Sequence, residues 1–476
     1  MPWTTSSPGL HQRPLRDSEA GMAAIVTTER PFAREPIKIH AIANFTTRHD
    51  SDKVIEALKD AWKALRLLKS PDIATTVTNE VKQYQVPSPT DLEAWLDRTF
   101  LVSPSGTSVQ SAIRSMQQHL EPLPVLQILS RSTNDGIFKG SLILYISHWR
   151  TEAAGAFKVV NDLFDYAADL LTGTNTRQAL SKYTPGSEVH LLTPAVEDML
   201  MPDATTTPES KARVEKHFDD YYSKLPCIDF PMQGNESDAF STVKVHRRVY
   251  TPSSTSNLIR ACKSKGISIT SAIHSAYLGA VWALADKPEK RNRNYASLMP
   301  AQVRTRLPKS SPYRDQGCWS AAQMLMLTLP PGQDFLTRAQ DLRRQYQLAD
   351  RETWLYEDAR EISAQVTQMG TKTPPDQPVS VPWFTGLGLL DGETIVSEHG
   401  NKDITVEDLD GWADPLAPGI VLRLWTFRGK LNIHVVWNAA YHGDQQIREL
   451  MDAIDKTLAD ELDIDIDIEE TKKEEY

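Results

Sequence analysis

Among the residues of this chain able to move a proton, His148 is set apart by its surroundings. It lies in Ser147-His148-Trp149-Arg150-Thr151-Glu152-Ala153-Ala154-Gly155. Before it runs Leu142-Ile143-Leu144-Tyr145-Ile146, unbroken and apolar as in a buried strand, and after it Ala156, Phe157, Val160, Leu163, Phe164, Ala167 and Leu171 recur at helical spacing. An imidazole at a strand-to-helix junction is held by backbone on both sides. It can present a ring nitrogen to a cavity as a general base near neutral pH. A lone histidine at a strand end is more often a surface or hydrogen-bonded structural residue, so the elements around it have to carry the argument.

Residues 37–45 read as a strand, and 51–68 as a helix with Val54, Leu58, Ala61, Trp62 and Leu65 on one face. Residues 122–129 and 140–147 read as strands joined through Arg131-Ser132-Thr133-Asn134-Asp135-Gly136, a hairpin that delivers the chain to His148. A polar region follows, with a helical patch near 209–225 and a loop at Pro231-Met232-Gln233-Gly234-Asn235-Glu236-Ser237. The second half restarts with a strand at 242–250. Helices are expected over 257–265, ended by Gly266, and over 271–284, where His274 falls in the buried stripe and reads as a packing residue. Further strands are expected at 295–299, 323–328, 421–427 and 431–438, the last two turning at Arg428-Gly429-Lys430, before a closing helix over 444–458. The boundaries that follow are a first lobe at 1–200 carrying His148, a linker at 201–238, a second lobe at 239–460 and an acidic, solvated tail at 461–476.

With 476 residues the chain exceeds the length at which single cores stop growing, which favours two lobes. Its 52 basic and 62 acidic residues give a net charge of -10, without basic runs interleaved with aromatics, which argues against nucleic acid as a partner. Cys227, Cys262 and Cys318 lack metal-ligand spacing and read as reduced, buried thiols; no metal is expected. The opening residues lack the apolar core of a signal peptide and no 18-residue apolar run occurs, so a cytoplasmic protein with no membrane contact is expected.

The strand-helix opening, the hairpin delivering His148, the helix after it and the second strand-helix-helix lobe resemble the coenzyme A-dependent acyltransferase superfamily. That is the fold of chloramphenicol acetyltransferase, the BAHD acyltransferases and peptide-synthetase condensation domains. Within it the chain is similar to fungal trichothecene O-acetyltransferases and related secondary-metabolite acyltransferases. Their His-His-x-x-x-Asp-Gly motif falls here on Ser147, His148, Glu152 and Ala153, so His148 takes the catalytic position and the other three positions differ. The resemblance implies an α/β fold of two lobes, each a mixed sheet with flanking helices, and an active-site tunnel between them. It implies that Glu152 pairs with an arginine of Met299-Pro300-Ala301-Gln302-Val303-Arg304-Thr305-Arg306, Arg304 first and Arg306 as its neighbour. It places the Trp383-Phe384-Thr385-Gly386-Leu387-Gly388-Leu389 stretch at the tunnel and, more loosely, Asp408-Leu409-Asp410-Gly411-Trp412-Ala413-Asp414-Pro415 near it.

On that resemblance a monomer without a bound cofactor transfers an acyl group, acetyl in the first instance, from acyl-CoA to a hydroxyl or amine of a small secondary metabolite. His148 is the base, Ser147, Thr385 and Trp412 are candidate oxyanion donors, and Lys158, Arg304 and Arg306 are candidate cations for the coenzyme phosphates. Two alternatives stand beside it. One is a scaffold repurposed as a cyclase or pericyclase without coenzyme A, because Trp149 and Arg150 could fill the thioester arm's space. The other is a non-catalytic metabolite-binding protein.

Overall fold

The computed structural model describes residues 3–28, 34–117, 121–131, 137–201, 205–234, 243–319, 322–351, 354–371 and 379–469. The expected turn at 132–136, and the parts of the loop at 235–237 and of the tail at 470–476, lie outside these residues.

Sixteen strands form four sheets among the described residues. The largest holds β3 (Ile39–Thr47), β6 (Phe100–Val102), β7 (Val125–Arg131), β8 (Phe138–Ile146), β13 (Glu398–His399) and β14 (Ile404–Ala413), in the order β13-β14-β3-β8-β7-β6. A second sheet holds β9 (Val243–Val249), β12 (Pro382–Leu389), β15 (Ile420–Phe427) and β16 (Lys430–Asn438), ordered β12-β15-β16-β9. Two small sheets flank them. One is built from β1 (Thr4–Ser7), β2 (Leu10–Pro14), β4 (Thr76–Thr78) and β5 (Val81–Gln85), and the other from β10 (Tyr295–Gln302) and β11 (Ala322–Leu329).

The unbroken apolar run of β8 follows from its place in the molecule. Leu142, Leu144 and Ile146 face the helices Ser51–Leu68 and Ala153–Thr172, while Ile143 and Tyr145 face a separate core that also takes in Trp412, Val436 and Val243. Both faces of the strand are buried, so successive side chains must all be apolar. β7 and β8 pair antiparallel, and the helix Ser51–Leu68 spans the expected range.

The helical patch expected near 209–225 is the helix Pro208–Tyr222, whose Val214 and Phe218 pack in the second-lobe core at helical spacing. Two stretches depart from the sequence reading. The helix expected from 257 begins at Pro252, since proline suits the first helical position and the Thr251 hydroxyl accepts from the Ser254 amide. The tail is anchored as far as 469. Its Asp-Ile alternation turns Ile464, Ile466 and Ile468 onto the second core, and Ile468 bridges Tyr250.

The strand order also cuts across the lobe boundary at 238. β13 and β14, late in the chain, join the first sheet, β14 lying antiparallel to β3. Trp425 and Phe427 of β15 pack in the first-lobe core. No helix among the described residues is long and apolar enough to cross a membrane.

Candidate active site

β8 ends at Ile146 and the helix starts at Ala153, so His148 sits in the six-residue turn between them. Most of its ring is enclosed. Nδ1 is buried without a hydrogen bond, and among the described residues no partner contacts Nε2, the nitrogen that a general base at this turn would use. Burial pushes the imidazole below its ordinary value of 6.5. Its own carbonyl and Glu152 pull the other way, and Arg423 pushes further down. The ring is therefore neutral at physiological pH, as a base must be.

The turn is locked from below. Glu152 caps the helix, one carboxylate oxygen accepting from the Gly155 amide at 3.0 Å, from Gln302 Nε2 at 3.1 Å and from Arg304 Nε at 2.9 Å, while Arg304 Nη2 reaches the other at 3.1 Å. Burial alone would raise the Glu152 carboxyl, but the Arg304 guanidinium overrides it and holds the group below its ordinary range. Arg304 spends its other N–H groups on the carbonyls of Gln316, Gly317 and Trp319 and lies 4.3 Å from the Trp319 ring centre. A methylene longer than aspartate, Glu152 still makes the fork-to-fork contact, and two residues past Ala153 the backbone approaches another segment closely. A Cβ on Gly155 would collide with the Thr151 hydroxyl, the Gly317 carbonyl and Arg304.

Trp149 and Arg150 point away from this centre. Arg150 is buried, donates to the carbonyls of Asp72, Thr75 and Pro122 and to the Thr75 hydroxyl, and stacks on Trp149 at 4.2 Å. They fill the first lobe, not the space beside His148.

Of the expected oxyanion donors, two are already committed. Ser147 Oγ donates to Glu35, and the Trp412 indole N–H donates to Asp414 Oδ1 at 3.2 Å. Asp414 also accepts from Gln117 at 2.9 Å and lies 3.0 Å from His40 Nε2. Thr385 differs: it is half-buried on β12 and its hydroxyl has no hydrogen bond among the described residues. Gly386, next to it, would carry a Cβ only 3.4 Å from the Thr270 methyl.

The expected phosphate cations fare likewise. Arg304 is consumed by Glu152 and three carbonyls, Lys158 is half-buried with its ammonium depressed by burial, and Arg306 is exposed. A cavity of about 410 Å³ opens elsewhere between the lobes, where Arg114 of one helix, Lys244 of β9 and Arg448 of the closing helix stand against the single acid Asp444, with Trp412 and Trp437 as walls. Sequence spacing could not find these cations, since they come from three distant elements. Arg423, missed as well, did leave a signal: it is the lone charge within the apolar run of β15.

His274 lies between the hydroxyls of Tyr346 and Tyr295, at 2.6 and 3.1 Å, and stacks on Phe384, deep in the second core. Cys262 and Cys318 are buried, whereas Cys227 is only half-buried because it lies in the loop before β9. Among the described residues no group of three His, Cys, Asp or Glu side chains could hold a metal.

No family model matches the chain. Curated relatives include acetyltransferase pigO of Monascus ruber, 28% identical over 98% of this chain and 99% of its own length. Among solved structures, TRI3 trichothecene 15-O-acetyltransferase of Fusarium sporotrichioides superposes with a TM-score of 0.79 over 96% of both chains at 16% identity. The EpoB cyclization-docking bidomain of Sorangium cellulosum superposes with a TM-score of 0.63, over 95% of this chain and 86% of its own, at 13% identity. These superpositions over nearly the whole chain show that it shares its two-lobed fold with TRI3 and with the cyclization domain.

Proposed function

We propose that the protein transfers an acyl group, acetyl in the first instance, from an acyl-CoA thioester to a hydroxyl or amine of a secondary metabolite, with His148 as general base. The observation that carries this reading is His148, held toward its neutral form between β8 and the following helix on a turn fixed by Glu152 and Arg304. The full-length likeness to a protein named as an acetyltransferase supports it.

In that reaction Nε2 takes the acceptor's proton while the acceptor attacks the thioester carbonyl, and the imidazolium returns the proton to the departing thiolate. Both substrates meet at one base, so no acyl-enzyme is required. Arg114 and Arg448 supply the charge that the phosphates of the donor would need, Lys244 beside them being paired with Asp444 at 2.7 Å.

Binding of acetyl-CoA measured by calorimetry, together with thiol release, tests the proposal. Wild type should bind and release thiol. His148→Ala should bind with similar affinity and lose about 10²–10⁴ in kcat, the range of general-base catalysis. An absence of binding by both would remove acyl transfer and leave a coenzyme-free cyclase or a metabolite-binding protein.

A further inference from the structure

β15 is paired on both sides, with β12 and with β16. Ile420, Leu422 and Leu424 point into the second-lobe core, so by strand alternation Arg423 and Trp425 point toward the first lobe, where Trp425 is packed. Arg423 therefore carries a guanidinium into the junction, and only 5% of the residue is exposed. Its Nη1 donates to the Gly411 carbonyl of β14 at 2.5 Å. Among the described residues that is its one hydrogen bond, and no carboxylate lies within ion-pair distance of it. Burial draws the guanidinium down to about 10, which leaves it charged at neutral pH. The register places Thr385 beside Arg423 on the same face, and His148 is near enough to feel its charge.

A buried guanidinium without a facing carboxylate is costly unless something uses its charge. We propose that Arg423, with Thr385 beside it, is a catalytic residue that receives the carbonyl oxygen as it becomes negative during acyl transfer at His148. This rests on the acyltransferase reading. As the acceptor oxygen bonds to the thioester carbon, its proton passes to Nε2 and the carbonyl π pair moves onto the oxygen facing Arg423. When that pair returns, the carbon–sulfur bond breaks and the thiolate takes the proton from the imidazolium. Arg423 is neither consumed nor deprotonated.

The charge balance favours a transient anion over a permanent one. Arg247 and Arg423 stand against Asp408 and Asp410, with Arg247 forked onto Asp408 at 2.6 and 2.8 Å and 3.5 Å from Asp410. His434, 3.5 Å from Asp410, and His148 are both pushed toward their neutral forms, foremost by burial. A fixed substrate carboxylate would leave this junction with an excess negative charge. An oxyanion formed together with an imidazolium would not.

Arg423→Gln and Arg423→Lys would be assayed by thiol release from acetyl-CoA across pH, with folding followed by circular dichroism. The Gln variant should lose about 10²–10³ in kcat and the same factor in kcat/KM, as for removal of one oxyanion donor, with KM little changed. Because Arg423 disfavours the imidazolium, its removal should also move the acidic limb of kcat/KM, and the NMR titration of His148, to higher pH. The Lys variant keeps the charge but not the planar fork and should recover part of kcat; it also keeps the test alive if Gln fails to fold. An unchanged kcat, or a raised KM with kcat intact, would overturn the assignment. A wild type that releases no thiol would instead overturn the acyltransferase reading, and this one with it.

Discussion

The contact between Glu152 and Arg304 is the residue-scale feature on which the site depends. Both groups are nearly buried, so neither can be left alone without a desolvated charge. Glu152→Gln or Arg304→Met should each cost about 3–5 kcal/mol, the penalty for breaking a buried pair from one side. The double variant should cost clearly less than the sum of the two, because no charge is then stranded. Denaturant unfolding of the four proteins measures the cycle; additive losses would mean that the two side chains act independently. The sign with pH is fixed as well. Glu152 is held below its ordinary value of 4.5, so the stabilisation is present above that value and is lost as pH falls toward the depressed one.

At the scale of elements, the helix Ala153–Thr172 and the Gly317 loop approach so closely that only glycine fits where they touch. Gly155→Ala, in the first turn of that helix, should therefore do what a helical alanine ordinarily does not. In place of the stabilisation expected from helix propensity, it should lower the melting temperature and acyl transfer together, because the added Cβ meets the Gly317 backbone as well as the Thr151 hydroxyl. A thermal melt showing equal or greater stability would refute the close approach. Much of this element layout could be read from sequence. Residues 142–146 announce a strand buried on both faces, 51–68 carry a clean helical stripe, and Arg428-Gly429-Lys430 mark a hairpin whose first two residues take positive φ. What could not be read was decided across the chain. Ser147 and Trp412 look like free donors until Glu35 and Asp414 are brought beside them, and Arg304 looks like a phosphate ligand until three carbonyls close on it. Periodicity reports which face of an element is apolar, not which partner arrives there.

The whole molecule is less divisible than a chain cut at residue 238 suggests. Two of six strands in the first sheet come from beyond residue 397, and a third core between the sheets is shared by Ile143 and Tyr145 of β8 with Val243, Trp412 and Val436. Trp425 extends from the second sheet into the first core and is 2% exposed. Lobes that merely touched would unfold separately, whereas lobes that share strands and cores each lose part of their interior when the other opens. Unfolding in denaturant, followed by far-ultraviolet circular dichroism and by tryptophan fluorescence, should give coincident transitions. Trp425→Ala, a large-to-small change worth about 3–5 kcal/mol, should shift both curves by the same amount. Two separated transitions, or a shift confined to one probe, would mean that the junction holding His148 and Arg423 is an interface between independent lobes, free to open without unfolding either.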